Sequence, residues 1–176
     1  VTVDQEEGAR LITQHLIDLG HRHFCEISGS LVWFDALARH ESWLKTLDRA
    51  GLTPGACIEG DWTAESGYRA ARQLLENGEY FTALVVGNDQ MALGAIHALR
   101  ERQRRVPQDV SVVGFDDIAE ASYFSPPLTT VRQDFDLLGK LGVESLIEQI
   151  NNPTVTLTQH VIKPRLMLRS STQSPG

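Results

Sequence analysis

The chain has 176 residues, is 41% hydrophobic and carries a formal net charge of -7, so it can bury a real core as one domain, or as one domain with an appendage. The acidic balance argues against a nucleic-acid groove in this polypeptide, because phosphate contacts need clustered Lys and Arg. The basic knot Arg100, Arg102, Arg104 and Arg105 falls at an expected helix C-terminus, where cations complete the helix dipole. Cys25 and Cys57 form no CxxC pair, and no apolar run is long enough to cross a bilayer, which excludes a disulfide scaffold and leaves the cytoplasm as the default compartment, with no membrane partner.

The opening Val1-Thr2-Val3-Asp4 lacks a methionine and starts on a strand end and a helix cap, so the chain reads as a piece of something longer. Asp4 caps a first helix with apolar positions Ala9, Ile12, Leu16 and Leu19, closed by Gly20. His23 to Ile27 reads as a strand, about Trp33 to Arg49 as a long helix, and Cys57-Ile58 as a short strand. Ser66 to Glu76 is helical up to Asn77-Gly78, and Ala83 to Val86 is an apolar strand of the kind buried on both faces. Asp89 to Arg102 is the next helix and Val110 to Val113 the next strand. Both cysteines fall in strand-like runs, where free buried cysteine is common. This alternation predicts an α/β fold with a doubly wound parallel sheet. Beyond Asp117 the rhythm changes to a short helix ending near Phe124, the breaker Ser125-Pro126-Pro127, an extended Leu128 to Arg132, a helix from Phe135 to Ile150, a turn at Asn151-Asn152-Pro153, strand-like residues from Val155 to Leu168, and a tail from Ser170 to Gly176 that should fray.

Four strand-like runs stop at a glycine: Ser28-Gly29, Gly60-Asp61-Trp62, Gly87-Asn88-Asp89 and Gly114-Phe115-Asp116-Asp117. The spacing between these glycines (29 to 60, 60 to 87, 87 to 114) is about one βαβ unit, so the corners should line one edge of the sheet, where open α/β sheets bind ligands. A tryptophan, an asparagine and aspartates there suit a small, neutral, hydroxyl-rich ligand.

The stretches Leu19-Gly20-His21-Arg22, Gly60-Asp61-Trp62, Gly87 to Ala95, Asp109 to Asp117 and Pro126 to Gln133 together resemble the lactose/galactose repressor family of bacterial transcription regulators, over nearly the whole chain. The resemblance implies a type I periplasmic-binding-protein-like second lobe over residues 1–131 and a segment over 132–160 that returns to a first lobe through the helix 135–150. Residues 161–169 would supply a final second-lobe strand. The helix-turn-helix head, the hinge and most of the first lobe would lie outside the chain. It further implies a sugar effector, most simply a galactoside or related glycoside, a homodimer or larger assembly, and operator DNA bound through the absent head.

Trp62 resembles the family tryptophan that packs on the CH-rich face of a pyranose; its alternative is a half-buried tryptophan at a lobe edge. Asn88 offers a hydroxyl both a donor and an acceptor, or else caps the next helix; both hold if Asp89 does the capping. Asp116 can accept from adjacent hydroxyls, while Asp117 is expected to cap the following helix. Arg39 aligns with the family arginine that points into the cleft, and otherwise reads as a surface residue beside Asp35 or Glu41. Asp35 stands where the resemblance leads one to expect a serine, after Trp33-Phe34, so the ring substituents read at this corner can differ. Gln133 and Phe135 are further ligand candidates, Phe135 with a core role as its alternative. For the dimer interface the resemblance points to Met91, Leu93, Ala95, Tyr123 and Phe124, and helix 89–102 is apolar beyond one stripe, as a second buried face requires.

No nucleophile elbow, P-loop, HExxH or dinucleotide fingerprint is present. His15, His21, His23, His40, His97 and His160 form no ligand-spaced pair and are expected on solvated faces and loops, so neither catalytic residues nor a metal or cofactor is expected. The rival to a repressor's sensing domain is a periplasmic sugar receptor of a transport system with the same fold.

Overall fold

Parallel pairing of β2 (Phe24–Ser28), β3 (Cys57–Glu59), β4 (Ala83–Val86) and β5 (Ser111–Val113) builds a sheet in the order β3-β2-β4-β5. The computed structural model describes residues 1–152, 154 and 158–176. The remaining strands are β1 (Thr2–Val3), β6 (Thr130–Arg132), β7 (Val161–Ile162) and β8 (Arg165–Met167). Isolated parallel bridges, Val113 to Thr129 and Asp116 to Arg132, continue the sheet into β6, which pairs antiparallel with β8; β1 pairs with β7. The expected doubly wound α/β sheet is therefore present.

Helices cover both faces because the central strands are apolar on both. Leu84 and Val86 of β4 face α3 (Ala64–Glu76) and α4 (Asp89–Glu101), together with Cys25, Ile27, Leu74, Met91 and Leu99. Ala83 and Val85 face α1 (Gln5–Asp18) and α2 (Phe34–Arg49), with Ile12, Leu16, Phe24, Trp43, Leu47 and Phe115. The helix starts follow from local capping chemistry. Asp4 accepts from Glu7 N at 2.9 Å, and Thr63 accepts from Ser66 N at 3.1 Å. The Thr63 cap places the start of α3 at Ala64, two residues before the sequence-based start.

α3 and α4 touch backbone to backbone. A Cβ on Gly94 would overlap the Ala64 carbonyl oxygen, and one on Gly67 would overlap the Met91 carbonyl oxygen. This contact corrects the expected interface. The second apolar face of α4 is spent on α3, with Met91 and Ala95 fully buried and Phe124 8% exposed. Of the five interface candidates, only Leu93 (45% exposed) and Tyr123 (86%) present surface.

Other expectations fail locally. The tail does not fray: Ser171 is fully buried, its Oγ accepting from Thr129 N at 2.8 Å and donating to Val112 O at 2.6 Å. The C-terminal strand-like run breaks at Lys163-Pro164 into β7 and β8, and its expected beginning at Val155 to Leu157, like Pro153, lies outside the described residues. Cys25 is buried as expected, but Cys57 is exposed because β3 is the sheet's edge strand. His21 is not solvated: it is buried, with Nδ1 2.9 Å from Thr82 Oγ1 and Nε2 2.9 Å from Gln173 O.

α5 (Phe135–Asn151) buries none of its residues, leaving Val143, Leu146, Ile147 and Ile150 exposed. It does not fold back onto the sheet. No helix among the described residues is long and apolar enough to cross a membrane.

Candidate functional site

The strand order reverses at β2, since the chain moves to β3 on one side and β4 on the other. A crevice forms at such a switch point, beyond the carboxyl ends of the strands. The four glycine corners meet there: Gly87 lies against Gly29 N, Gly60 against Ser28 O and Met91, and Gly114 against Asp89.

Arg39 enters from α2 on the helical stripe Ala36, Arg39, Trp43, Thr46 and Leu47, and its burial follows from that register. It is 8% exposed. Its guanidinium lies over the Phe115 ring, 3.8 Å from the centroid, and 5.8 Å from the Trp62 ring centroid. Nη1 donates to Gly87 O at 2.6 Å and Nε to Gln5 Oε1 at 2.8 Å. Gln5 Nε2 donates to Gln133 Oε1 at 2.9 Å, Gln133 Nε2 donates to Asp116 Oδ1 at 2.6 Å, and that same oxygen lies 3.9 Å from Arg39 Nη2. The four side chains thus close a ring. Burial lowers the Arg39 pKa against the pull of Asp116, and burial raises that of Asp116 against the pull of Arg39 and Gln133.

Trp62 is half-buried with φ of 73°, and its indole fills the space above Gly29, where any Cβ would overlap the ring. This fixes the ring as a wall of the corner. Asp116 also has a positive φ, 113°, stabilised by its N–H donating to Val131 O at 2.8 Å.

The structure brings Arg39, Trp62, Asp116 and Gln133 together. Asn88 is adjacent but occupied: its Oδ1 accepts from Met91 N at 2.9 Å, and its Nδ2 donates to Trp62 O at 3.0 Å. Asn88 thus takes its alternative role as the cap of α4, and Asp89 does not cap that helix. Asp89 is buried beneath the site, accepting from Thr130 Oγ1 at 2.5 Å and Ile118 N at 2.9 Å. Burial pushes the Asp89 carboxyl up to about 7, against those two hydrogen bonds and with help from the Asp116 and Asp117 carboxylates. Asp117 caps no helix; it accepts from Arg132 Nε at 2.5 Å and Arg169 Nη2 at 2.6 Å, tying β6 to the segment after β8.

Asp35 is exposed at the start of α2, beside the exposed Val32, Trp33 and Phe34. Phe135 is 52% exposed and lines a depression with Asp117, Arg132, Gln133 and Leu137, which borders the site at Gln133. Sequence reasoning missed Gln5. Its signal was a polar residue at the first position of an amphipathic helix, which is common enough to pass unnoticed.

Among the described residues, Arg39 Nη2 and Asp116 Oδ2 make no hydrogen bond. A charged donor and a charged acceptor therefore stand beside an aromatic wall, an arrangement chemically able to recognise vicinal hydroxyls on a ring with an apolar face.

A switch-point crevice beyond the strand ends is the geometry of a periplasmic-binding-protein-like α/β domain. The chain belongs to the periplasmic binding protein-like domain family, whose profile matches residues 13–172. It is 41% identical to the lactose operon repressor of Escherichia coli (strain K12) over 176 residues, 100% of this chain and 49% of that protein. A solved dimeric Lac repressor with an 11-residue C-terminal deletion superposes with a TM-score of 0.94 at 40% identity, covering 99% of this chain and 64% of that one. A transcriptional regulator CelR–cellobiose complex superposes with a TM-score of 0.92 at 34% identity, covering 96% and 52%. The resemblance to lactose/galactose-type repressors is borne out, and the chain spans about half the length of the curated relatives it matches.

Proposed function

We propose that residues 1–131 and 161–169 form the second lobe of a sugar-sensing repressor's effector domain, with residues 132–160 returning to its first lobe. The carrying observation is that Arg39, beside Trp62, and Asp116 lie close together with Nη2 and Oδ2 free of hydrogen bonds among the described residues. Two neighbouring ring hydroxyls would accept from the first and donate to the second while the indole covers the CH face. Gln5 and Gln133 act through these groups: they hold the guanidinium and the carboxylate apart at a fixed geometry. Relatives whose names or structures refer to lactose, ribose and cellobiose support a sugar effector, and a galactoside is the first to test.

In this reading α5, with its exposed apolar residues, packs into a first lobe, and effector binding favours one relative orientation of the lobes. A helix-turn-helix outside these residues contacts operator DNA, and the dimer forms through the α4 face at Leu93 together with Tyr123. The protein acts in the cytoplasm and is not an enzyme.

Calorimetry on the protein at the full length of its relatives tests the site. Arg39→Ala and Asp116→Asn should each weaken glycoside binding by about 1–3 kcal/mol, the cost of unpairing a hydrogen bond to a charged group. Trp62→Ala should lose a comparable amount through packing. Unchanged affinity in all three variants removes the assignment.

A further inference from the structure

Next to Arg39 on the sheet-facing side of α2, His40 belongs to a second cluster that sugar binding does not use. In β2 the side chains alternate: Cys25 and Ile27 face α3 and α4, whereas Phe24 packs with Trp43 and Leu47 under α2. Glu26 shares the Phe24 face, where apolar neighbours are the rule, yet it is a carboxylate only 3% exposed. Buried charges of this kind are paired or bind metals. Among the described residues its hydrogen-bonding partner is Nδ1 of His40, from α2. Cys57 of the edge strand is the direct register neighbour of Glu26, so its side chain emerges on the same face. Its Sγ lies 3.8 Å from His40 Nδ1 and 3.5 Å from Ser28 Oγ. The carboxylate oxygen, ring nitrogen and sulfur all lie within 4.8 Å of one another.

We propose that Glu26, His40 and Cys57 form a binding site for a borderline divalent transition-metal ion of the zinc class. One thiolate, one imidazole and one carboxylate are the ligand types such an ion takes, with water completing a four-coordinate shell. The donors come from two adjacent strands and a helix, a frame that fixes their spacing better than a loop does. Tetrahedral coordination needs donor atoms roughly 3.4 Å apart. The sulfur-to-nitrogen distance is close to that, and the Glu26–His40 hydrogen bond opens to admit the ion. His40 is held against Trp43, with ring centroids 5.8 Å apart, and the Ser28 hydroxyl is placed to donate to the thiolate, as groups around ligating atoms commonly do. The exposed position of Cys57 at the sheet edge supplies the entry path. On binding, the thiol proton passes to solvent and the proton on His40 Nδ1 leaves for solvent or moves to Nε2, so the ring ligates as a neutral imidazole while the thiolate and carboxylate together balance the two positive charges. Because His40 follows Arg39, the bound ion would also clamp α2 to β2 and β3 next to the sugar-facing guanidinium.

Cobalt titration of the reduced 176-residue chain tests this without any sugar. One Co2+ per chain should bind with a thiolate-to-cobalt charge-transfer band in the near ultraviolet and intense visible bands, all displaced by Zn2+. Cys57→Ser should abolish the charge-transfer band, and His40→Gln and Glu26→Gln should weaken binding by about tenfold or more. His23→Gln, at an exposed histidine, should change nothing. Zinc should raise the melting temperature of the wild type but not of Cys57→Ser, whose exposed position keeps that variant folded. A chain that binds no cobalt, or a Cys57→Ser variant that keeps the band, overturns the proposal.

Discussion

Replacing Asp89 with Asn isolates the cost of holding a carboxylate beneath the site. The group sits at about 7 in the folded protein, against its ordinary 3.8. A carboxyl whose folded pKa is raised stabilises the fold fully below its unfolded pKa and loses that contribution as pH climbs through the folded value. Between the two, the native state binds the extra proton, so stability falls as pH rises. Integrating that linkage from about pH 5 to about pH 8 gives a loss of about 2.5 kcal/mol from this one group. An asparagine has no such dependence. It can also keep both contacts, its oxygen accepting from Ile118 N and its amide donating to Thr130 Oγ1, because the threonine hydroxyl rotates. The assay is urea unfolding of both proteins across this pH range. The wild type should lose about 2.5 kcal/mol relative to Asp89→Asn, with the difference concentrated between pH of about 5 and 7. Parallel stability profiles for the two proteins would refute the account of Asp89 as a carboxyl kept protonated by burial.

Gly29→Ala should drive the indole of Trp62 from its place, destabilising the fold by about 1–3 kcal/mol through overpacking and weakening glycoside binding; a native melting temperature with native affinity would count against Trp62 as a fixed wall. Ser171→Ala should cost about 2 kcal/mol in urea unfolding, because Thr129 N and Val112 O each lose a buried partner, whereas a value near zero would mean a loose tail. The pair Leu93→Glu and Tyr123→Glu should convert a dimer to a monomer in sedimentation without unfolding it, while Met91→Glu should unfold the chain by burying a charge in the core; a mass unchanged by the first two variants excludes the α4 face as the interface.

The order of elements was legible because α1, α3 and α4 start at the capping residues Asp4, Thr63 and Asn88, and β2 to β5 each end at a glycine. Their gathering at one edge followed from the βαβ spacing alone. Which polar group does what was not legible, for a physical reason: Asn88 and Asp89 are adjacent and both able to cap, and only the packing of Thr130 and Ile118 above α4 decides that Asp89 is the one taken inward. The interface residues were only partly legible for the same reason, since Met91 and Ala95 are buried while Leu93 and Tyr123 are exposed. An apolar second face on α4 signals a partner, but periodicity does not say whether that partner is another chain or α3. Gln5 and Gln133 were separated by 128 positions, beyond any local pattern, and the Glu26–Cys57 neighbourhood required knowing the register of an edge strand.

The backbone contact between α3 and α4 bears on how the domain conveys force. Where two helices meet through long side chains, a push on one is absorbed by rotamer changes before it reaches the other. Here Gly67 and Gly94 leave no such cushion, since carbonyl and Cα atoms abut. α3 begins at Ala64, one residue after the Thr63 that follows Trp62. Pressure from a neighbouring subunit on the outer surface of α4, around Leu93, would therefore arrive at the indole as rigid displacement, and a sugar lodged against that indole would press back along the same stiff path.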